Sequence, residues 1–276
     1  DIADGDWSSD VCSSDLTNTK RKSLNESREA IQKLVPMLAD LPSGREEVLG
    51  WVARLLRTAL WGNQADLSLF QVGEERPDHL TSGAGGRHLL IDETSETAEY
   101  LDALAHRARV DLLADNTGME LVSDLLLADG LLRTGLAEEV VLHVKAHPTF
   151  VSDATISDVT GTLQVLETDP EEEVRALAGR MRRHLSTGSL RLEDAFTWTS
   201  PLPFRDLPGE AVTALARSDL IVSKGDAHYR RLLGDRHWPY TKPFEEVLAY
   251  FPAPILALRT LKAEVVCGLG EEQVQR

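Results

Sequence analysis

Cysteine is scarce in this chain, with only Cys12 and Cys267 at opposite ends. That count excludes a disulfide framework and any C-x-x-C zinc or redox motif, so a reducing, cytoplasmic compartment is the expectation. Aromatic residues are also few, and no apolar run approaches the roughly 18 unbroken residues that a membrane-spanning helix requires. Positive charge is in deficit: 29 Lys and Arg stand against 45 Asp and Glu, a formal net charge of −16. Such a surface repels nucleic acid and anionic lipid, so neither is expected as a partner. Three catalytic signatures are missing as well, namely G-x-x-x-x-G-K-[ST], H-E-x-x-H and G-x-S-x-G. The glycines at Gly83, Gly85 and Gly86 miss the last position of G-x-G-x-x-G and precede a strand-like run, which argues against a dinucleotide fold.

What remains is a chain of 276 residues, 42% hydrophobic and with a mean hydropathy of −0.21. That is enough for one large domain or two smaller ones with a substantial core. Residues 1–19 are rich in Ser and Asp, lack periodicity and contain no apolar signal-peptide core, so they read as a disordered leader or one foreign to the fold. Residues 20–85 form a helical subdomain in this reading: Ile31, Leu34, Val35 and Leu38 recur at helical spacing, Pro42-Ser43-Gly44 breaks the run, and Val48, Val52, Leu55 and Leu56 resume it. Residues 86–276 alternate strand-length apolar runs with helical patterns. Strands are expected at His88–Asp92, Val110–Asp115, Val140–Lys145, Asp219–Lys224 and from Ile255 through the adjoining Arg259–Lys262. The fold class is therefore α/β: a three-layer, doubly wound, mainly parallel sheet with an N-terminal helical subdomain. Ligands of such sheets sit beyond the carboxyl ends of the strands.

Four of those ends carry ligand chemistry. Asp115-Asn116-Thr117-Gly118 offers one carboxylate and one amide oxygen to a hard cation, or alternatively an Asx turn and a helix cap. Asp153, in the loop after the next strand, is a third oxygen ligand or another helix cap. Lys224-Gly225-Asp226 with Arg230 reads as an anion cradle, because cations at a helix start oppose the helix dipole unless an anion is present. Thr260 and Lys262 would share a face if the last strand continued through them.

Taken together, these segments resemble the damage-control phosphatases of the DUF89 family, ARMT1-like branch. The resemblance rests on Trp61-Gly62-Asn63-Gln64-Ala65-Asp66, Asp115-Asn116-Thr117-Gly118-Met119-Glu120, Phe150-Val151-Ser152-Asp153, Lys224-Gly225-Asp226-Ala227-His228-Tyr229-Arg230 and Arg259-Thr260-Leu261-Lys262, in the family's order. It implies a metal-dependent phosphatase acting on a small phosphorylated sugar such as fructose 1-phosphate or fructose 6-phosphate, in metabolite damage control. It also implies Asp115, Asn116 and Asp153 as ligands of Mn2+, Ni2+ or Co2+, or of Mg2+. Asp115 and Asp226 are the implied catalytic carboxylates. Asp115, Asn116, Asp226, His228, Tyr229, Arg230 and Lys262 are the implied substrate contacts. His228 departs from the family's Asn, and the helical region is shorter than the family's. Two other readings stay open: an S-adenosylmethionine-dependent carboxyl methyltransferase, and a sugar-phosphate-binding protein without catalysis. Asn63, Asp66 and Glu120 have no assigned role.

Overall fold

The structure is a computed structural model that describes residues 9–62 and 89–275, with side chains from residue 18 onward. Three helices lead: α1 (Ser9–Glu26), α2 (Arg28–Met37) and α3 (Arg45–Trp61). The expected helical pair is α2 and α3, separated by the Pro42-Ser43-Gly44 break, and their buried stripes are Ala30, Ile31, Leu34 and Val35 on one and Trp51, Val52, Leu55 and Leu56 on the other. Residues 9–19, expected to lack order, instead form the first part of α1. Periodicity gave no sign of it because its mean composition is polar; the tertiary anchor is Lys20, which is buried.

After α4 (Thr94–Ala103) the chain alternates as β1 (Ala108–Leu113), α5 (Met119–Thr134), β2 (Ala137–Lys145), α6 (Ile156–Glu167), α7 (Glu172–Thr187) and β3 (Leu190–Ala195). It continues with α8 (Phe196–Thr199), a short 3-10 turn, α9 (Gly209–Leu215), β4 (Leu220–Lys224), α10 (Gly225–Leu232), α11 (Phe244–Val247), β5 (Ile255–Leu258) and α12 (Glu271–Val274). The five strands are all parallel, in the order β3-β2-β1-β4-β5.

Alternation along the strands builds two cores. Val110, Leu112, Val140, Leu142, Leu220 and Val222 face a large core shared with α2 to α7, whereas Leu113 and Ile221 face a second core with Trp198, Phe204, Leu215 and Leu232. Helices thus cover both faces, and the strands can be apolar on both sides, as parallel sheets require. No helix among the described residues is long and apolar enough to cross a membrane.

Two strand expectations are corrected, and one strand is added. The run through Leu89–Asp92 is irregular: Leu90 and Ile91 are exposed, and Asp92 instead accepts hydrogen bonds from Thr94 at the start of α4 and from Arg57; His88 lies outside the described residues. β5 stops at Leu258, so Thr260 and Lys262 do not share a strand face. β3 was not anticipated, because Leu190–Ala195 is an edge strand with alternating charge rather than an apolar run.

Candidate functional site

Sheet order reverses between β1 and β4, since β2 and β3 extend one way and β5 the other. The loops following β1, β2 and β4 therefore diverge around one crevice, which is where such sheets hold ligands. The loops after β1 and β2 are stitched together by backbone. Asn116 and Asp153 form an antiparallel bridge, Thr117 N–H donates to the Ser152 carbonyl at 2.8 Å, and Ala154 N–H donates to the Asp115 carbonyl at 3.0 Å. Gly118, at φ +73°, turns the chain from this bridge into α5.

This stitching brings the three expected oxygen ligands together. Lys145 Nζ, at the last residue of β2, stands 3.3 Å from Asp115 Oδ1 and 3.1 Å from Asp153 Oδ1. Asp153 Oδ2 accepts from the Thr149 and Phe150 amides, both at 2.9 Å, and its carbonyl accepts from Lys20 Nζ of α1 at 2.6 Å. Asn116 Nδ2 donates to Asp115 Oδ2 at 3.0 Å and to Glu120 Oε2 at 2.9 Å, while its Oδ1 turns outward to accept from Ser152 Oγ. Asp153 is thus held within its own loop and does not cap α6; that cap is Thr155, paired reciprocally with Asp158.

Beneath these groups, Lys224 Nζ donates to Glu120 Oε1 at 3.3 Å and Asp124 Oδ1 at 2.6 Å. Four buried carboxylates, Asp115, Glu120, Asp124 and Asp153, consequently share the two ammonium groups of Lys145 and Lys224. Burial pushes the Asp115 carboxyl above its ordinary range against the pull of Lys145, with Glu120 and Asp153 adding to the rise. Burial likewise carries Asp124 up to about 7 despite its contact with Lys224. The cluster has a formal deficit of two positive charges when every carboxylate is ionised.

A cleft of about 300 Å³ opens beside the cluster, lined by Thr19, Lys20 and Ser23 of α1 and by Asn116, Glu120 and Ser152, among others. Asp115 and Asp153 lie behind Asn116, at 7% and 2% exposure. Among the described residues no three His, Cys, Asp or Glu side chains stand in a group that could hold a metal ion. The other side-chain oxygen of the expected set, Asn116 Oδ1, faces Ser152, and it is Nδ2 that meets Asp115. The set is all oxygen, which suits a hard or borderline divalent cation.

The expected substrate contacts are more dispersed. Gly225, first residue of α10, packs directly on the Asp115 carboxylate, and Asp226 follows it, held by Arg259 at 2.7 Å. His228 is buried against Phe204, and Tyr229 stacks on Phe244 with the Arg259 guanidinium 4.2 Å from its ring centroid; burial raises the Tyr229 hydroxyl to about 12. Arg230 is exposed and forms a two-pronged pair with Asp235, while Lys262 is exposed in the loop after β5. Asp226, His228, Tyr229, Arg230 and Lys262 do not line the cleft, whereas Asn116 does. Lys224, expected as an open cation of an anion cradle, is instead enclosed by carboxylates at 1% exposure. Asn63 and Asp66 lie outside the described residues.

Sequence reasoning missed Lys145, Lys20 and the partners of Glu120. The local signal for Lys145 is its place as the last residue of the predicted strand that points at the same crevice. Lys20 lay within a segment without apolar periodicity and gave no signal. Arg259, part of the motif near the C-terminus but without an expected role, donates to the Ala263 and Val265 carbonyls besides Asp226, shaping the loop that carries Lys262.

A doubly wound parallel sheet with carboxylate, amide and ammonium groups collected at its switch point defines an α/β protein with a polar strand-end site. The family model of the damage-control phosphatase ARMT1-like domain matches residues 17–276, and the chain belongs to this family. Among similar proteins, the damage-control phosphatase ARMT1 of Danio rerio is 36% identical over 271 residues, covering 91% of this chain and 60% of that protein. The Rattus norvegicus protein of the same name is 33% identical, covering 93% and 62%, and that of Homo sapiens is 32% identical, covering 88% and 58%. The chain thus spans about three-fifths of these relatives' length. A crystal structure of a DUF89 family protein from Pyrococcus horikoshii superposes with a TM-score of 0.53 at 18% identity, covering 91% of this chain and 71% of that one, a likeness of fold.

Proposed function

We propose that this chain is a metal-dependent phosphomonoester hydrolase acting on a small phosphorylated sugar, of the fructose 1-phosphate or fructose 6-phosphate type, in metabolite damage control. The observation that carries the reading is the joining of Asp115, Asn116 and Asp153 through Lys145 and a backbone bridge at the sheet's switch point. The name of the relatives, damage-control phosphatase, supports the same activity. Asp115, Asn116 and Asp153 would hold Mn2+, Ni2+, Co2+ or Mg2+, and the charge deficit of the buried cluster favours a divalent guest. Bound there, the cation would supply Lewis-acid polarisation of a phosphoryl oxygen.

The protein's own groups do the rest. Lys145 keeps the two aspartates side by side against their mutual repulsion and contributes a fixed positive charge toward an entering phosphate. Gly225 lets the start of α10 approach Asp115, which brings Asp226 near the crevice as a second carboxylate. The hydroxyl groups of Ser23 and Ser152 in the cleft wall suit the hydroxyl groups of a sugar.

The reading is tested by phosphate release from a panel of sugar phosphates with each metal. Metal-stimulated release is expected from the unaltered chain, and its loss in a folded Asp115→Ala variant. Release that survives Asp115→Ala unchanged would remove the assigned centre. A second reading, binding without turnover, draws on the position of Arg230 and Lys262 away from the cleft. It predicts ligand-dependent thermal stabilisation with no phosphate released under any metal.

A further inference from the structure

Lys224 is among the most deeply buried charged groups of the protein, yet it closes β4 beside the site. Its ammonium is fixed by Asp124 at 2.6 Å and reaches Glu120 at 3.3 Å. Glu120 and Asp124 are four residues apart on α5 and so lie on one face of that helix, directed at the same cation. Lys224 occupies one oxygen of Glu120, Oε1, and the other, Oε2, accepts from Asn116 Nδ2. The chain of contacts therefore runs Asp124, Lys224, Glu120, Asn116, and ends on the amide that also touches Asp115.

Stability alone does not account for such an arrangement. Burying an ion cluster costs desolvation that apolar side chains of like volume avoid, and such replacements are often neutral or stabilising. The cluster is also incompletely satisfied, because Asp124 Oδ2 is buried without a hydrogen-bond partner. What the contacts accomplish is direction: an acceptor held on the α5 side of Asn116 selects which end of the amide faces inward.

We infer that Lys224 is a positioning residue that, anchored by Asp124, orients Glu120 and through it sets the side-chain amide of Asn116 beside Asp115. The consequence for catalysis rests on the proposed role of Asn116 as a site ligand; the orientation itself does not.

The experiment follows the Asn116 side-chain NH2 pair in nitrogen–proton NMR spectra of the metal-free full chain, with the pair assigned through Asn116→Asp. In Lys224→Met and Asp124→Leu the pair is expected to move toward the position of a free amide, with exchange against solvent at least tenfold faster. Asp124→Asn, which keeps an acceptor for Nζ, is expected to bring the pair back to its original position. Should Lys224→Met not fold, Glu120→Gln serves: it keeps the volume but cannot accept from both Lys224 and Asn116, and the same displacement is expected. An Asn116 pair unmoved in folded Lys224→Met, or in Glu120→Gln, overturns the inference. A parallel Mn2+ titration by calorimetry separates the two ideas. Binding about tenfold tighter in Lys224→Met, where Asn116 Oδ1 is released to turn toward Asp115, supports positioning, whereas no binding by the unaltered chain counts against the metal reading and leaves the NMR result to decide the orientation.

Discussion

Gly225 leaves no space for a side chain beside Asp115: a Cβ at this position would overlap the Asp115 carboxylate oxygen. The residue also sits at φ +85°, in the left-handed region where side chains are strained by about 1 kcal/mol or more. Gly225→Ala is therefore expected to push Asp115 off Asn116 and Lys145. Phosphate release should fall at least tenfold with stability reduced by about 1–3 kcal/mol, read by a release assay and urea unfolding. Activity at the unaltered level would show that the contact is incidental.

Removing Lys145 should have a larger effect on stability. Its ammonium separates two buried carboxylates, and deleting one member of a buried ionic group typically costs about 3–5 kcal/mol. Lys145→Met is expected to lose that much at pH 7. The loss should shrink at a lower pH, because burial raises the Asp115 carboxyl and its protonation removes the repulsion. Denaturant unfolding at the two pH values checks this, and an equal loss at both would contradict it.

Asp111 supplies a pH dependence away from the site. It is a fully buried residue of β1; burial alone would raise its carboxyl, but hydrogen bonds from His143, Arg109 and Ser218 outweigh that and bring it to about 2. A depressed folded value means stability present above the unfolded value near 4 and lost as pH falls toward 2. The contribution is about 2 kcal/mol. Asp111→Asn should therefore be less stable than the unaltered chain at neutral pH, with the difference vanishing near pH 2. A difference independent of pH would exclude this origin.

Lys20 pins α1 to the site by donating to the Asp153 carbonyl and to Asp158 at 2.7 Å. Lys20→Ala removes both bonds and one wall of the cleft, at a cost of about 1–3 kcal/mol. KM for a phosphorylated sugar is expected to rise several-fold with a smaller change in kcat, together with faster proteolysis within α1. Unchanged KM with faster proteolysis would confine Lys20 to a structural role.

Much of this protein was written locally. Val110–Leu113, Val140–Lys145 and Leu220–Lys224 are mostly apolar runs buried on both faces, and a strand of that kind belongs in a parallel sheet covered by helices. The Asp115-Asn116-Thr117-Gly118 turn is equally local, since the residues that bend the chain are adjacent in it. Where the pattern depended on neighbours, it misled. The apolar run at Leu89–Asp92 found no partner strand among the described residues, β3 was hidden by its edge position, and α1 is held by the buried Lys20 together with Leu24.

The sequence by itself determined the α/β class, the ends of β2 and β4 and the presence of Asp115, Asn116 and Asp153 in neighbouring loops, because periodicity and turn chemistry act over a few residues. Only the tertiary structure decided that Lys145 joins two of those residues, that Lys224 faces carboxylates rather than the cleft, and that Arg230 turns to Asp235. Those outcomes depend on strand order and on which charges burial brings within reach of one another, and nothing in the spacing of residues along the chain encodes either.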